Sequence, residues 1–265
     1  MKINEITSII ESFAPLAWQE DYDNAGLIVG RPDDEVHAAL LAVDVTDEVL
    51  DEAEATGCDL VITHHPIVFR PLKRFNSADP VQRCVERAIR RGIALYACHT
   101  NLDSAPGGMS WTLARQLGVG DLQTLQPAAD DAPVGFGVVG LLPAPEKTEA
   151  FLRRMQQQLG VRCVRHSDLT GPTVQRIAVC TGAGASLIGA ARRAGAELYV
   201  TADLKYNDFM TPDGALVVAD IGHFESEYGA IQLLFDILSK KLLNFALHKS
   251  AHARNPVHYL VAAAE

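Results

Sequence analysis

The chain has 265 residues, 48% of them apolar and 21% charged, with a net charge of −10 and a pI near 5.3. That acidic balance argues against a nucleic-acid binder, which needs a basic face to neutralise phosphates. The five scattered cysteines (Cys58, Cys84, Cys98, Cys163, Cys180) lack any CxxC spacing, which argues against a disulfide framework or a thiolate zinc site and for a reducing, cytoplasmic setting.

MKINEITSII lacks the apolar core of a secretion signal, and no apolar run is long enough to span a bilayer. Ile6, Ile9, Ile10 and Phe13 fall at helical spacing up to Pro15. AALLAVDV (38–45) predicts a strand, and 46–57 a helix with Thr46 as N-cap and Gly57 as its stop. LVIT (60–63) predicts a strand, 80–92 a helix, IALYAC (93–98) a strand and 107–118 a helix. The β-α alternation implies a mostly parallel sheet covered by helices. Arg83, Arg87, Arg90 and Arg91 read as a solvated helix face.

PAADDAP (127–133) is polar and turn-rich and reads as a domain boundary. Beyond it the spacing predicts strands at 134–142, 161–166, 176–180, 197–202 and 215–220, with helices at 147–160 and about 224–240. VHYLVAA (257–263) predicts a closing strand. The expected fold class is therefore α/β, with two α/β layers in tandem. The domain expectation is 1–126 plus 241–265 for the first and 127–240 for the second.

In parallel α/β sheets, ligands bind beyond the carboxyl ends of the strands. After LVIT stand His64 and His65; after IALYAC come His99 and Asp103; after ALVVAD come His223, Glu225 and Glu227. Imidazole and carboxylate without thiolate is the donor set of Zn, Mn, Fe, Ni or Co. Residues four apart on a helix share a face and residues two apart do not, so His223 pairs with Glu227, and Glu225 points elsewhere. His64, His65, Asp103, His223 and Glu227 make five ligands, enough for two divalent ions about 3.5–4 Å apart. Any one fragment alone is more often structural, and Asp103 also reads as a cap or turn residue before Pro106 and Gly107. Three such fragments at three strand exits favour the metal reading.

THHP (63–66), HTNLD (99–103) and GHFESE (222–227) resemble the motifs of the YbgI-like dinuclear-metal proteins, the GTP cyclohydrolase 1 type 2 homologs. DNAGLIVG (23–30), CTGAG (180–184), TADLKYND (201–208) and NP (255–256) match more weakly, and the resemblance covers essentially the whole chain. It implies the same five ligands, two α/β lobes with the metal pair in the cleft between them, a C-terminal strand returning to the first lobe, and a hexameric ring of identical subunits. The chain departs from the family pattern at Tyr22, where many members have Trp, and at Asn207, where many have His.

A metal pair of this kind suits hydrolysis of a nucleotide-like or phosphorylated small molecule through a metal-bridged hydroxide, with Glu225 or Asp203 moving protons. The alternative is a metal-binding hub or metal-handling factor acting through protein partners. CTGAGAS (180–186) reads as a tight turn rather than a dinucleotide loop, since Leu187 stands where a third glycine would be. Asp203 and Lys205 also read as contacts behind the ligands or to substrate. His248, His252 and His258 with Arg254 read as a solvated loop, and His37 and His166 as surface residues.

Overall fold

The computed structural model describes residues 1–129, 132–210 and 214–260. Helix α1 (Ile3–Phe13) starts with the Glu5 carboxylate accepting the Lys2 backbone N–H at 2.8 Å and ends before Pro15. Strand β1 (Gly26–Val29) and strand β2 (Ala38–Ala42) follow. Helix α2 (Asp47–Thr56) is capped as expected: Thr46 accepts from the Val49 N–H at 3.3 Å, and Gly57 takes a left-handed φ of +69°. Strand β3 (Leu60–Thr63) leads to helix α3 (Pro80–Arg91), whose first N–H groups are capped by Asp79, and then to strand β4 (Ala94–Ala97). Arg87 on α3 pairs with Asp51 and Glu54 of α2 at 2.6 and 2.7 Å, so the arginine-rich face is an ion-paired surface.

Two short helices come next, α4 (Thr100–Ser104) and α5 (Met109–Gln116). The chain then forms β5 (Gly120–Pro127), β6 (Gly135–Lys147), α6 (Thr148–Leu159), β7 (Arg165–His166) and β8 (Thr173–Ala183). It continues through α7 (Ile188–Arg193), β9 (Leu198–Ala202), β10 (Val217–Asp220), α8 (His223–Glu227), α9 (Ala230–Ser239) and β11 (Ala246–Lys249).

Two compact units result, one of residues 1–105 with 229–253 and one of 106–228 with 254–265. The first holds a sheet in the order β1-β4-β3-β2-β11, parallel except for β1. Leu40 and Ala42 of β2 meet Val49, Leu50 and Ala53 of α2 and Ala88 of α3 on one face, while Ala39 and Leu41, one position over, are equally buried. A strand apolar on both faces is the mark of a covered parallel sheet.

The second unit holds a sheet in the order β5-β6-β8-β9-β10-β7, with β8-β9 and β9-β10 parallel and the other pairings antiparallel. Here the period of two is visible. Ile177, Val179, Leu198 and Val200 enter one core with Phe151 and Met155 of α6, and Ala178, Cys180 and Tyr199 enter another with Ile188 and Ala191 of α7. The α/β class therefore stands, with a second sheet that is mixed.

Several expectations need correction. The strands on either side of PAADDAP belong to one sheet, Pro127 of β5 pairing with Gly135 of β6, and the contacts that define the units divide the chain at residue 105 instead. The strand expected at 161–166 shrinks to Arg165–His166, because only those residues reach the sheet edge. The helix expected at 224–240 divides into α8 and α9 at Tyr228–Gly229, although both residues keep helical φ and ψ. Residues 257–260 form no strand, and the rest of the expected closing strand lies outside the described residues. The strand that joins the first sheet late in the chain is β11, parallel to β2.

Candidate metal centre

Strand β3 stops at Thr63, whose hydroxyl donates to the His65 carbonyl at 2.7 Å while the His65 N–H donates to Val43 at 3.0 Å. That tied turn presents two successive imidazoles. His64 is fully buried, and its Nδ1 lies 2.9 Å from the Cys98 carbonyl. The Nδ1 of His65 lies 2.7 Å from Asp44 Oδ1, just past the end of β2. The Nδ1 of His99 lies 2.7 Å from Asp23 Oδ1.

Each of these partners only accepts. Each ring therefore donates from Nδ1 and turns Nε2 away from that partner, the orientation that metal-binding histidines show. The ring centroids are 5.0, 5.2 and 5.4 Å apart, and ligand atoms of His64, His65 and His99 lie within 4.8 Å of one another. Asp103, on α4, places Oδ1 3.8 Å from His64 Nε2.

Asp23 is the best-held carboxylate of this region, its side chain fully enclosed. Burial pushes its pKa up, but hydrogen bonds from His99 and from the Thr100 hydroxyl and N–H, together with the Asn24 N–H, pull it down to about 2. It is thus a permanent anion behind His99. Burial moves the adjacent Cys98 thiol the other way, well above its ordinary range, so that sulfur stays protonated. The donors here are nitrogen and oxygen, a set that fits borderline divalent ions.

In the second unit, α8 brings His223 and Glu227 onto one face, Nε2 to Oε2 2.9 Å, as helical spacing requires. His223 Nδ1 lies 2.8 Å from Asp203 Oδ2, repeating the arrangement of the first unit. The hydrogen bond that His223 donates to Glu227 raises its pKa to about 9; burial opposes it, and the charges of Glu227 and Asp203 reinforce it.

Glycine makes room for this pair. Gly182 sits at φ +64°, a Cβ there would overlap the Glu227 carboxylate, and its N–H donates to Ser226 Oγ at 2.9 Å. The CTGAG segment is not the tight turn expected: Cys180–Ala183 are the end of β8, where its register with β9 shifts between Val179 and Ala183, and this stretch also seats α8. Glu225 points away, folding back over Gly222 toward the Tyr259 hydroxyl 3.4 Å away. Asp203 acts on His223 from behind the ring.

Sequence reasoning left out three of these participants. His99 was noted at its strand end but not counted among the five ligands, and Asp44 and Asp23 were not singled out. The signal for both acids was present: Asp44 follows strand β2, and Asp23 opens DNAGLIVG.

An α/β protein whose strand ends present histidines and carboxylates, in groups that could hold a metal ion, is the class these features define. The Duf34/NIF3 (NGG1p interacting factor 3) family model matches residues 1–256, and the chain belongs to that family. It is 32% identical over 265 residues to the GTP cyclohydrolase 1 type 2 homolog of Clostridium perfringens, covering 98% of this chain and 100% of that protein. Among solved structures, a Bacillus cereus protein related to NIF3 superimposes with a TM-score of 0.92 at 23% identity, covering 98% and 99% of the two chains. The ybgI protein, described as of unknown function, gives 0.80 at 25% identity over 94% and 98%. No helix of the described residues is long and apolar enough to cross a membrane.

Proposed function

We propose that this is a dinuclear metal-binding protein in which His64, His65, Asp103, His223 and Glu227 are ligands, and that it works as a metal-dependent hydrolase. The observation that carries the reading is the shared treatment of four imidazoles, His64, His65, His99 and His223, each held at Nδ1 by an oxygen acceptor at 2.7–2.9 Å. The exposed His37 and His166 meet oxygen at Nδ1 in the same way; what sets the four apart is that ligand atoms of His64, His65 and His99 lie within 4.8 Å of one another and that His223 Nε2 meets Glu227. His99 belongs to the same group and is a sixth candidate ligand.

Divalent ions in such a donor set lower the pKa of a bound water and polarise an oxygen electrophile. This chain's own groups then divide the work. Asp44, Asp23 and Asp203 orient the rings they touch, and Glu225, which is turned out of the His223–Glu227 pair, is the acid left to move a proton. The name of the Clostridium perfringens relative makes GTP the first substrate to try, followed by other nucleotides and phosphoesters. A homohexamer is the assembly proposed with this reading.

The test is elemental analysis of the purified chain and of His65→Ala, with hydrolysis of that panel followed for both and mass measured by light scattering. About two first-row metals per wild-type chain, a loss in the variant and metal-dependent turnover are expected. Metal without turnover on any substrate would replace the hydrolase by a metal-handling role. A chain that takes up no metal after reconstitution would end the proposal.

A further inference from the structure

Asp220 ends β10 with only 4% of its surface exposed. Its Oδ1 accepts from the Gly222 N–H at 3.0 Å, and its Oδ2 from the Leu204 N–H at 2.8 Å and from Arg165 Nη2. Arg165 Nη2 also donates to the Leu204 carbonyl at 3.0 Å. The two members of one ion pair therefore hold both polar groups of Leu204. The two-residue strand β7 places them: in its register with β10, Arg165 stands directly across from Asp220. The guanidinium is steadied from another side by the Phe209 ring, 5.4 Å from its centroid.

Leu204 and Gly222 are the chain neighbours of Asp203 and His223, the two residues joined at Nδ1. Both backbones take a positive φ, which costs Asp203 but not the glycine. Gly222 has φ +89°, and Asp203 has φ +56°, left-handed for a residue with a Cβ. Such conformations persist where the surroundings hold them. On these contacts one buried carboxylate determines where both backbone segments lie.

We infer that Asp220 and Arg165 form a positioning pair, fixing the segments 203–204 and 222–223 so that Asp203 holds the His223 ring by Nδ1 and Nε2 is turned to Glu227. Its consequence for metal rests on the ligand reading above; the clamp itself is a property of the metal-free chain. Neither residue touches the proposed ligands through its own side chain, so both act through Asp203 and His223.

Two readouts separate the inference from that reading. In the metal-free chain, the hydrogen-bonded Nδ1–H proton of His223 is observed by NMR and assigned by its disappearance in His223→Gln. In parallel, Co(II) affinity is measured by chelator competition. Arg165→Met, at a half-exposed edge position, is expected to fold, to lose the Nδ1–H signal and to bind Co(II) about tenfold more weakly, as outer partners of metal ligands do. Asp220→Asn is expected to do the same. If it fails to fold by circular dichroism, Arg165→Met alone decides. A wild-type signal and affinity preserved in Arg165→Met would overturn the positioning role. A wild type that binds no Co(II) would overturn the ligand reading instead, and the Nδ1–H signal would then decide the clamp by itself.

Discussion

The histidines of the first unit and the histidine of the second are anchored alike at Nδ1 but set in opposite electrostatic surroundings. Around His64, His65 and His99 the rings stand 5.0–5.4 Å apart, the acids Asp44 and Asp23 lie behind two of them, and Asp103 approaches only His64 Nε2, at 3.8 Å. In α8, a single ring meets a carboxylate at Nε2 as well as at Nδ1, and its pKa rises to about 9. The first arrangement is a cluster of ring nitrogens. The second is organised as an ion pair that keeps its proton until something stronger replaces it. On the proposed reading, the larger share of the candidate ligands is held ready in the first unit.

That contrast can be broken most forcefully at a ring. Replacing His65 by Ala should weaken metal binding by more than about 100-fold, beyond what loss of an outer partner causes, as read by elemental analysis after dialysis against a chelator. Removing only the charge behind the ring is the sharper test. Asp44→Asn should cost about 10–100-fold in affinity with the fold intact, whereas equal affinity would show that the cluster of ring nitrogens does not depend on the acids behind it.

On the second unit, Gly182→Ala forces a Cβ into the Glu227 carboxylate at a left-handed position. It should lower stability by at least about 1–2 kcal/mol in denaturant unfolding. An unchanged midpoint would show that α8 can shift without cost.

The smallest effect should come at Glu52, which accepts from the Ser250 hydroxyl at 2.5 Å and the Ala251 N–H at 2.9 Å. Burial raises its pKa, but these hydrogen bonds and His252 lower it overall. A depressed folded-state pKa means that its stabilising contribution is present above the unfolded value, about 4.3, and is lost as pH falls through the lower folded value. Glu52→Gln should therefore lower stability slightly near neutrality and flatten the acid side of the profile, with the two proteins converging below the folded value.

How much of this could be read from the sequence depended on how each element is stabilised. β3 and the helices α2 and α3 announced themselves, because apolar periodicity and caps such as Thr46 and Gly57 are local signals. The edge strands β5 and β11 did not. GDLQTLQP and ALHK are largely polar, and they are strands only because β6 and β2 offer them hydrogen bonds. Likewise, helical spacing put His223 with Glu227, but nothing in the sequence spacing connects Asp23 to His99, 76 positions away.

The polar character of β11 has a consequence for how the chain is made. Its partner β2 reads AALLA and is buried along its whole length. A nascent chain must carry that apolar edge unpaired until residues 246–249 leave the ribosome, after both sheets have otherwise been synthesised. Exposed edges of this kind recruit other chains. The short ALHK strand, with its lysine and histidine, therefore works as a late seal, and a chain ending before residue 246 should go to inclusion bodies rather than accumulate as a folded protein.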